Sequence, residues 1–134
     1  MPSRLAAPRV AEGQDEREDN ELYVARYVPR NGDLVELSLR PDHGHEQHGR
    51  RPALVVSNDL FQRATGLCVV CPVTRTDRRH PFHVPIPSVL GVDGVVMADQ
   101  VRAVDARARG ARRLDRAPDE LVDEVLAIVD AMLF

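Results

Sequence analysis

Apolar and polar positions along the chain fall into three regimes. From Asp33 the run Asp-Leu-Val-Glu-Leu-Ser-Leu39 carries apolar residues on both faces of an extended chain, as expected of a strand covered on two sides. Pro52–Ser57 (PALVVS) and Leu67–Thr74 (LCVVCPVT) are short and almost wholly apolar, and each predicts another buried strand. Phe82–Ile86 alternates, and its proline marks an edge strand or a bulge. Gly94–Val104 reads as one longer strand with polar interruptions. Two loops separate these runs, the polar, glycine-bearing segment 40–50 and the charged segment 75–80. After Pro118 the period becomes helical. Leu121, Val122, Val125, Leu126, Val129, Met132 and Leu133 share a stripe, and the acids lie largely off it. Pro118 suits the first helical turn, and Asp119 and Glu120 suit its positive dipole end. Short strands followed by one amphipathic helix predict a mainly β (α+β) domain, a small curled barrel closed by a helix.

The first 21 residues carry no such period. Their second half, AEGQDEREDNE, is polar and charged, and it reads as a disordered extension or as the product of a misassigned start codon. The 134 residues suffice for one core, not two.

Charge sharpens this division. The formal net charge of −3 argues against a uniformly basic nucleic-acid binder. Residues 1–21 hold three Arg against six acids, and the segment from Ala117 onward holds five acids and no base. The middle, Leu22–Arg116, holds 15 Arg against 10 acids and all five histidines. A basic groove is therefore compatible with an acidic whole. The chain has no Lys, and GC-rich coding accounts for most of that choice. No run approaches the roughly 18 apolar residues of a membrane span, and no secretory signal pattern stands at the start. Two cysteines make no disulfide scaffold, so reduced thiols in the cytoplasm are expected. With aromatics at 4% and no Trp, a nucleic-acid surface built on stacked rings is not expected.

Four segments then carry a resemblance. Gly32-Asp-Leu34, Glu46-Gln-His-Gly-Arg-Arg51-Pro52, Pro72-Val-Thr74 and Ala98-Asp-Gln-Val-Arg102, in that order, resemble the MazF/PemK toxins of bacterial toxin–antitoxin modules. The similarity begins near Arg26 and runs to Phe134, which divides the chain into an extension, 1–25, and a domain, 26–134. The resemblance implies an SH3-like barrel of the CcdB/MazF/PemK type with a C-terminal helix, usually a symmetric homodimer. It implies a ribosome-independent endoribonuclease that cuts single-stranded mRNA at a short sequence. Such enzymes need no metal or cofactor and leave a 2′,3′-cyclic phosphate and a 5′-hydroxyl. It also implies a MazE-like antitoxin as partner and no membrane association.

Cleavage by the RNA's own 2′-hydroxyl requires a base, donors for the phosphorane charge and an acid for the leaving oxygen. Arg51 is the first choice. It stands before a proline and a buried strand, its fork fits two phosphate oxygens, and family precedent places the catalytic Arg here. Thr74 ends a buried strand at a rim, where its hydroxyl reaches the scissile phosphate; alone it reads as a β-branched strand residue, and the resemblance makes it catalytic. Glu46 either orients Arg51 or takes the 2′ proton. Orientation is preferred, because a Glu paired with Arg is a weak base. Gln47, His48, Arg50, Arg75, Arg78, Arg79, Gln100 and Arg102 are candidate RNA contacts, Arg78 and Arg79 reading equally well as a solvated loop. Arg50 and Arg75 depart from better-known members, so base preference does not transfer.

Two tempting patterns are set aside. His43-x-His45-x₂-His48 has neither a helical H-E-x-x-H spacing nor that of a finger, and no metal site is expected. Cys68 and Cys71 stand three apart on a predicted strand, so they point to opposite faces and read as core thiols. Two other functions remain open on the same fold: a CcdB-like gyrase poison and a non-catalytic RNA-binding barrel.

Overall fold

A computed structural model of the chain describes residues 27–39 and 49–134. The extension 1–25 and the loop candidates Glu46, Gln47 and His48, with His43 and His45, lie outside the described residues. The elements are β1 (Asp33–Ser38), β2 (Arg50–Val55), α1 (Asp59–Thr65), β3 (Cys68–Thr74), β4 (His83–Pro85), β5 (Val95–Met97), β6 (Arg102–Val104), β7 (Arg112–Arg116) and α2 (Asp119–Leu133).

All described pairings are antiparallel, and the sheet runs β4–β5–β3–β2–β1–β7 with β6 also on β3. Among the described residues β4 and β7 do not pair, so the sheet is open rather than a closed barrel. The three strands read from uniform apolar runs are its centre, and each is covered on both faces. On one face Leu34, Leu54, Cys71, Val73, Val84 and Val96 meet Leu121, Val122 and Val125 of α2. On the other, Val35, Leu37, Ala53, Val55, Cys68 and Val70 form a second cluster against Val104 and Ala106. The two cysteines thus fall in different clusters. Burial pushes their thiols up, Cys68 to about 11 and Cys71 to about 12.

Three elements depart from the sequence expectation. The predicted strand 94–104 is two strands separated by a 3-10 turn at Ala98–Gln100. The break lets β5 pair with the end of β3, through Val73 and Thr74, and β6 with its start, through Cys68–Val70. Helix α1 and strand β7 were not expected. In α1 the Asn58 side chain accepts from the Phe61 amide, and Gly66 ends the helix in the left-handed region at φ 75°. Strand β7, Arg-Arg-Leu-Asp-Arg, pairs with β1 at the sheet edge, its side chains largely exposed. In α2, Pro118 occupies the N-cap rather than the first helical position.

Candidate active site

Arg51 stands near the start of β2, directly across from Leu37 of β1. The β2–β3 register pairs Ala53 with Pro72 and Leu54 with Cys71. Carried two residues further, it sets Arg51 opposite Thr74, and directly opposed residues share a face. The two foremost catalytic candidates, 23 positions apart in sequence, therefore lie at the same end of the sheet, each two residues beyond the last β2–β3 pair.

The neighbouring arginines have opposite fates. The side chain of Arg50 is 12% exposed and turned inward, its Nε donating to Glu36 Oε1 at 2.9 Å. Its Nη2 donates to the carbonyls of Glu36 and Gly110. Glu36 also receives Arg112 Nη2 at 2.9 Å, so one carboxylate ties β1, β2 and β7 together. Arg50 is a brace at the first residue of β2. Arg51 is exposed, and its one described hydrogen bond is from Nη1 to the Arg50 carbonyl at 3.2 Å. Bracing the first fixes the backbone that aims the second.

Thr74 is half-buried at the last position of β3, and its Oγ1 accepts from the Thr76 amide at 3.2 Å. A hydroxyl that accepts there still has its proton to donate. Gly94 holds this residue's backbone in place from the β5 side. Its φ is 128°, and a Cβ built on it would lie 2.3 Å from the Thr74 carbonyl oxygen. No other residue fits that approach.

The loop that follows carries Arg75, Arg78 and Arg79, all exposed. Asp77 Oδ1 accepts from the Arg79 amide at 2.8 Å and turns the chain. Arg79 sits at φ 54°, the only non-glycine with positive φ among the described residues. Gln100 is exposed on the 3-10 turn. Arg102, on β6, donates from Nη2 to the Leu39 carbonyl, and Arg109 donates from Nη1 to the Ser38 carbonyl at 3.2 Å. Both grip the root of the segment that carries Glu46. Burial first, and then the charge of Arg102, lowers the pKa of Arg109. Sequence reading missed Arg109, Gly94 and Glu36. Of these, glycine before a β-branched pair was the one visible signal.

At the far side of β5, His83 Nε2 lies 3.2 Å from Asp99 Oδ1, and the His80 ring stacks on that of His83, centroids 4.4 Å apart at 26°. His80, His83 and Asp99 each bring a ligand-type atom within 4.8 Å of the others. His80 Nδ1 accepts from the Phe82 amide at 3.1 Å, and His83 Nε2 faces Asp99, so both rings have protein partners in this arrangement.

Comparison with known proteins gives the chain its relatives. Residues 30–133 match the family model of the PemK-like, MazF-like toxins of type II toxin–antitoxin systems. The endoribonuclease toxin MazF of Escherichia coli K12 is 43% identical over 99 residues, 73% of this chain and 88% of that protein. A solved MazF from Deinococcus radiodurans is 46% identical and superposes with a TM-score of 0.72, covering 81% of this chain and 98% of that one. A MazE–MazF structure from the same organism, 42% identical, gives 0.71 over 81% of this chain and 97% of that one.

Proposed function

The chain belongs to the PemK-like, MazF-like toxins of type II toxin–antitoxin systems, and on that premise we propose that Arg51 and Thr74 are its catalytic residues. The protein is an endoribonuclease toxin whose module partner is an antitoxin. Its substrate is single-stranded mRNA, cut at a short sequence without the ribosome and without a metal. The 2′-hydroxyl oxygen attacks the adjacent phosphorus, and the bond to the 5′-oxygen breaks. The products are a 2′,3′-cyclic phosphate and a 5′-hydroxyl.

Arg51 bridges the non-bridging oxygens as their charge builds, and Thr74 donates a hydrogen bond to the same phosphate. Glu46 orients Arg51. If instead it takes the 2′ proton, Glu46→Gln removes the basic limb's counterpart at low pH from the pH–rate profile; an unaltered profile keeps it as orienter. Arg75, Arg78 and Arg79 attract the backbone, and that affinity falls with salt. Gln47, His48, Gln100 and Arg102 line the route of the RNA, while Arg50 serves through its brace on β2.

The observation that supports this reading is an exposed Arg51 at the end of the sheet where β3 ends in Thr74, beside an Arg50 tied inward. We further infer a homodimer in the cytoplasm. Leu126, Leu133 and Phe134 of α2 and its end are 37%, 65% and 98% exposed, an apolar surface that a second copy would cover. No helix among the described residues is long and apolar enough to cross a membrane.

Incubating the full chain with a long single-stranded RNA in EDTA and mapping the ends tests the function. Discrete cuts with 5′-hydroxyl ends are expected. Intact RNA together with inhibition of DNA gyrase would point to the CcdB-like reading, and bound but uncut RNA to a binding barrel.

A further inference from the structure

The ring cluster beside β4 remains outside the chemistry above. Phe82, His80 and His83 form a short ladder. His80 stacks on His83, and Phe82 lies tilted at 52° with its centroid 5.6 Å from that of His80. The lowest ring is fixed: the His83 side chain is 10% exposed and braced by Asp99. The upper two are open, His80 being exposed and Phe82 39% exposed. The chain has five Phe and Tyr residues and no Trp, which argues against a surface tiled with stacked aromatics but leaves room for one platform that adds histidine rings to a single Phe.

The backbone holds these rings in place before any ligand arrives. The Phe82 amide donates to His80 Nδ1 at 3.1 Å, the His83 amide to the His80 carbonyl at 3.0 Å, and the Ala98 amide to the Phe82 carbonyl at 3.0 Å. A ligand that stacks here loses little entropy to ordering them. Arg75, Arg78 and Arg79 stand in the same loop and bring positive charge to whatever strand runs past.

Placement relative to the active site follows from register. Val84 of β4 packs in the cluster under α2, so His83 projects from the opposite face of the sheet. Val73 packs in the same cluster, which puts Thr74 on that opposite face too. Thr74 pairs with Val95, and Val95 with Pro85, two residues from His83. On a regular sheet that separation is about 12 Å, two strand spacings and two residues along. A strand with its scissile phosphate at Thr74 has a base one or two nucleotides away within reach of these rings.

We propose that His80 and Phe82 are a stacking platform for one unpaired nucleobase of the RNA substrate, with His83 and Asp99 as its foundation. The proposal rests on the endoribonuclease reading and adds to it a binding subsite distinct from Arg51 and Thr74. Stacking of this kind accepts any base by its flat face and rewards single strands over duplexes.

The experiment uses the full chain and an oligoribonucleotide of the mapped cleavage sequence with 2′-deoxyribose at the scissile nucleotide, so that it binds without being cut. Dissociation constants are measured for the wild type, a His80→Ala/Phe82→Ala double variant and His80→Phe, with thermal unfolding recorded for each. One abasic nucleotide is walked through the oligonucleotide. Wild type is expected to lose about 5- to 150-fold at one position adjacent to or one beyond the cut. The double variant should lose a similar factor on the intact oligonucleotide and no longer respond to that abasic position, whereas His80→Phe keeps both. Double-variant binding within twofold of wild type, or an unchanged abasic response, overturns the platform and leaves the nuclease standing. A wild type that neither cuts nor binds RNA removes the underlying reading and the platform with it.

Discussion

The two ends of β1 use arginine in opposite ways. At the Asp33 end the carboxylate is buried and surrounded: Tyr27 Oη and the Arg30 amide donate to Oδ2, while Arg113 and Arg116 approach Oδ1 at 3.5 and 3.3 Å. Both of these guanidinium groups serve that one anion and close the edge between β1 and β7. At the Ser38 end, Glu36 takes Arg50 and Arg112, yet Arg51 stays exposed with only a backbone carbonyl as described partner. The same side chain is a fastener where an acid is buried beside it, and it is left available to a ligand where, among the described residues, no acid pairs with it. Arginine content says nothing about which; the strand register and the position of the acids decide.

The largest effect that would break this contrast comes from Arg51. Arg51→Ala is expected to lower kcat/KM on RNA by about 10²–10³-fold with an unchanged unfolding midpoint. Arg51→Lys should fail to restore it, because a point charge does not bridge two oxygens. Wild-type turnover in Arg51→Ala would make Arg51 one more fastener, and in Arg51→Lys it would reduce the fork to a point charge. Thr74→Val, which keeps the shape and removes the hydroxyl, should cost about 10–100-fold in kcat with little change in stability.

At the other end the same experiments should read in reverse. Asp33→Ala removes the acceptor shared by the Tyr27 hydroxyl and the Arg30 amide and the anion between Arg113 and Arg116, and denaturant titration should show a loss of about 1–3 kcal/mol. Activity per folded molecule should be retained. A catalytic defect without destabilisation would erase the distinction between the ends.

The smallest effect concerns the two thiols, which serve neither end. Their folded pKa values, about 11 and about 12, exceed the ordinary value of 9.0. Stability associated with the protonated thiols is intact below about pH 9 and is lost as pH rises toward those folded values. Wild type should therefore lose more stability between pH 8 and 10.5 than a Cys68→Ala/Cys71→Ala variant does. A thiol reagent at pH 8 should label the native chain far more slowly than the unfolded one.

What could be read from the sequence tracks how uniform each segment's environment is. Strands β1, β2 and β3 were legible because both faces are buried, which writes an unbroken apolar run. Strand β7 was not, because an exposed edge strand is held by main-chain hydrogen bonds and by ion pairs to Glu36 and Asp33. The 3-10 turn at Ala98–Gln100 was hidden by its buried Ala98, which continues the apolar pattern across a change of pairing partner. Helix α1 buries only Gln62, so it has no stripe, although Asn58 and Gly66 bracketed it. Arg51 and Thr74 could be named through the family resemblance, and the likeness to E. coli MazF and to the D. radiodurans structures supports that family assignment. The inward turn of Arg50 could not be foreseen, because it depends on Glu36 and Gly110, 14 and 60 residues away.

Gly94 has a consequence for how this protein is able to change. With its Cβ position occupied by the Thr74 carbonyl, the codon tolerates no missense substitution without displacing a strand end. In a saturation library selected for growth arrest, position 94 should return glycine almost alone. One hydrogen-sized clearance thus dictates a residue that no chemistry at the site requires.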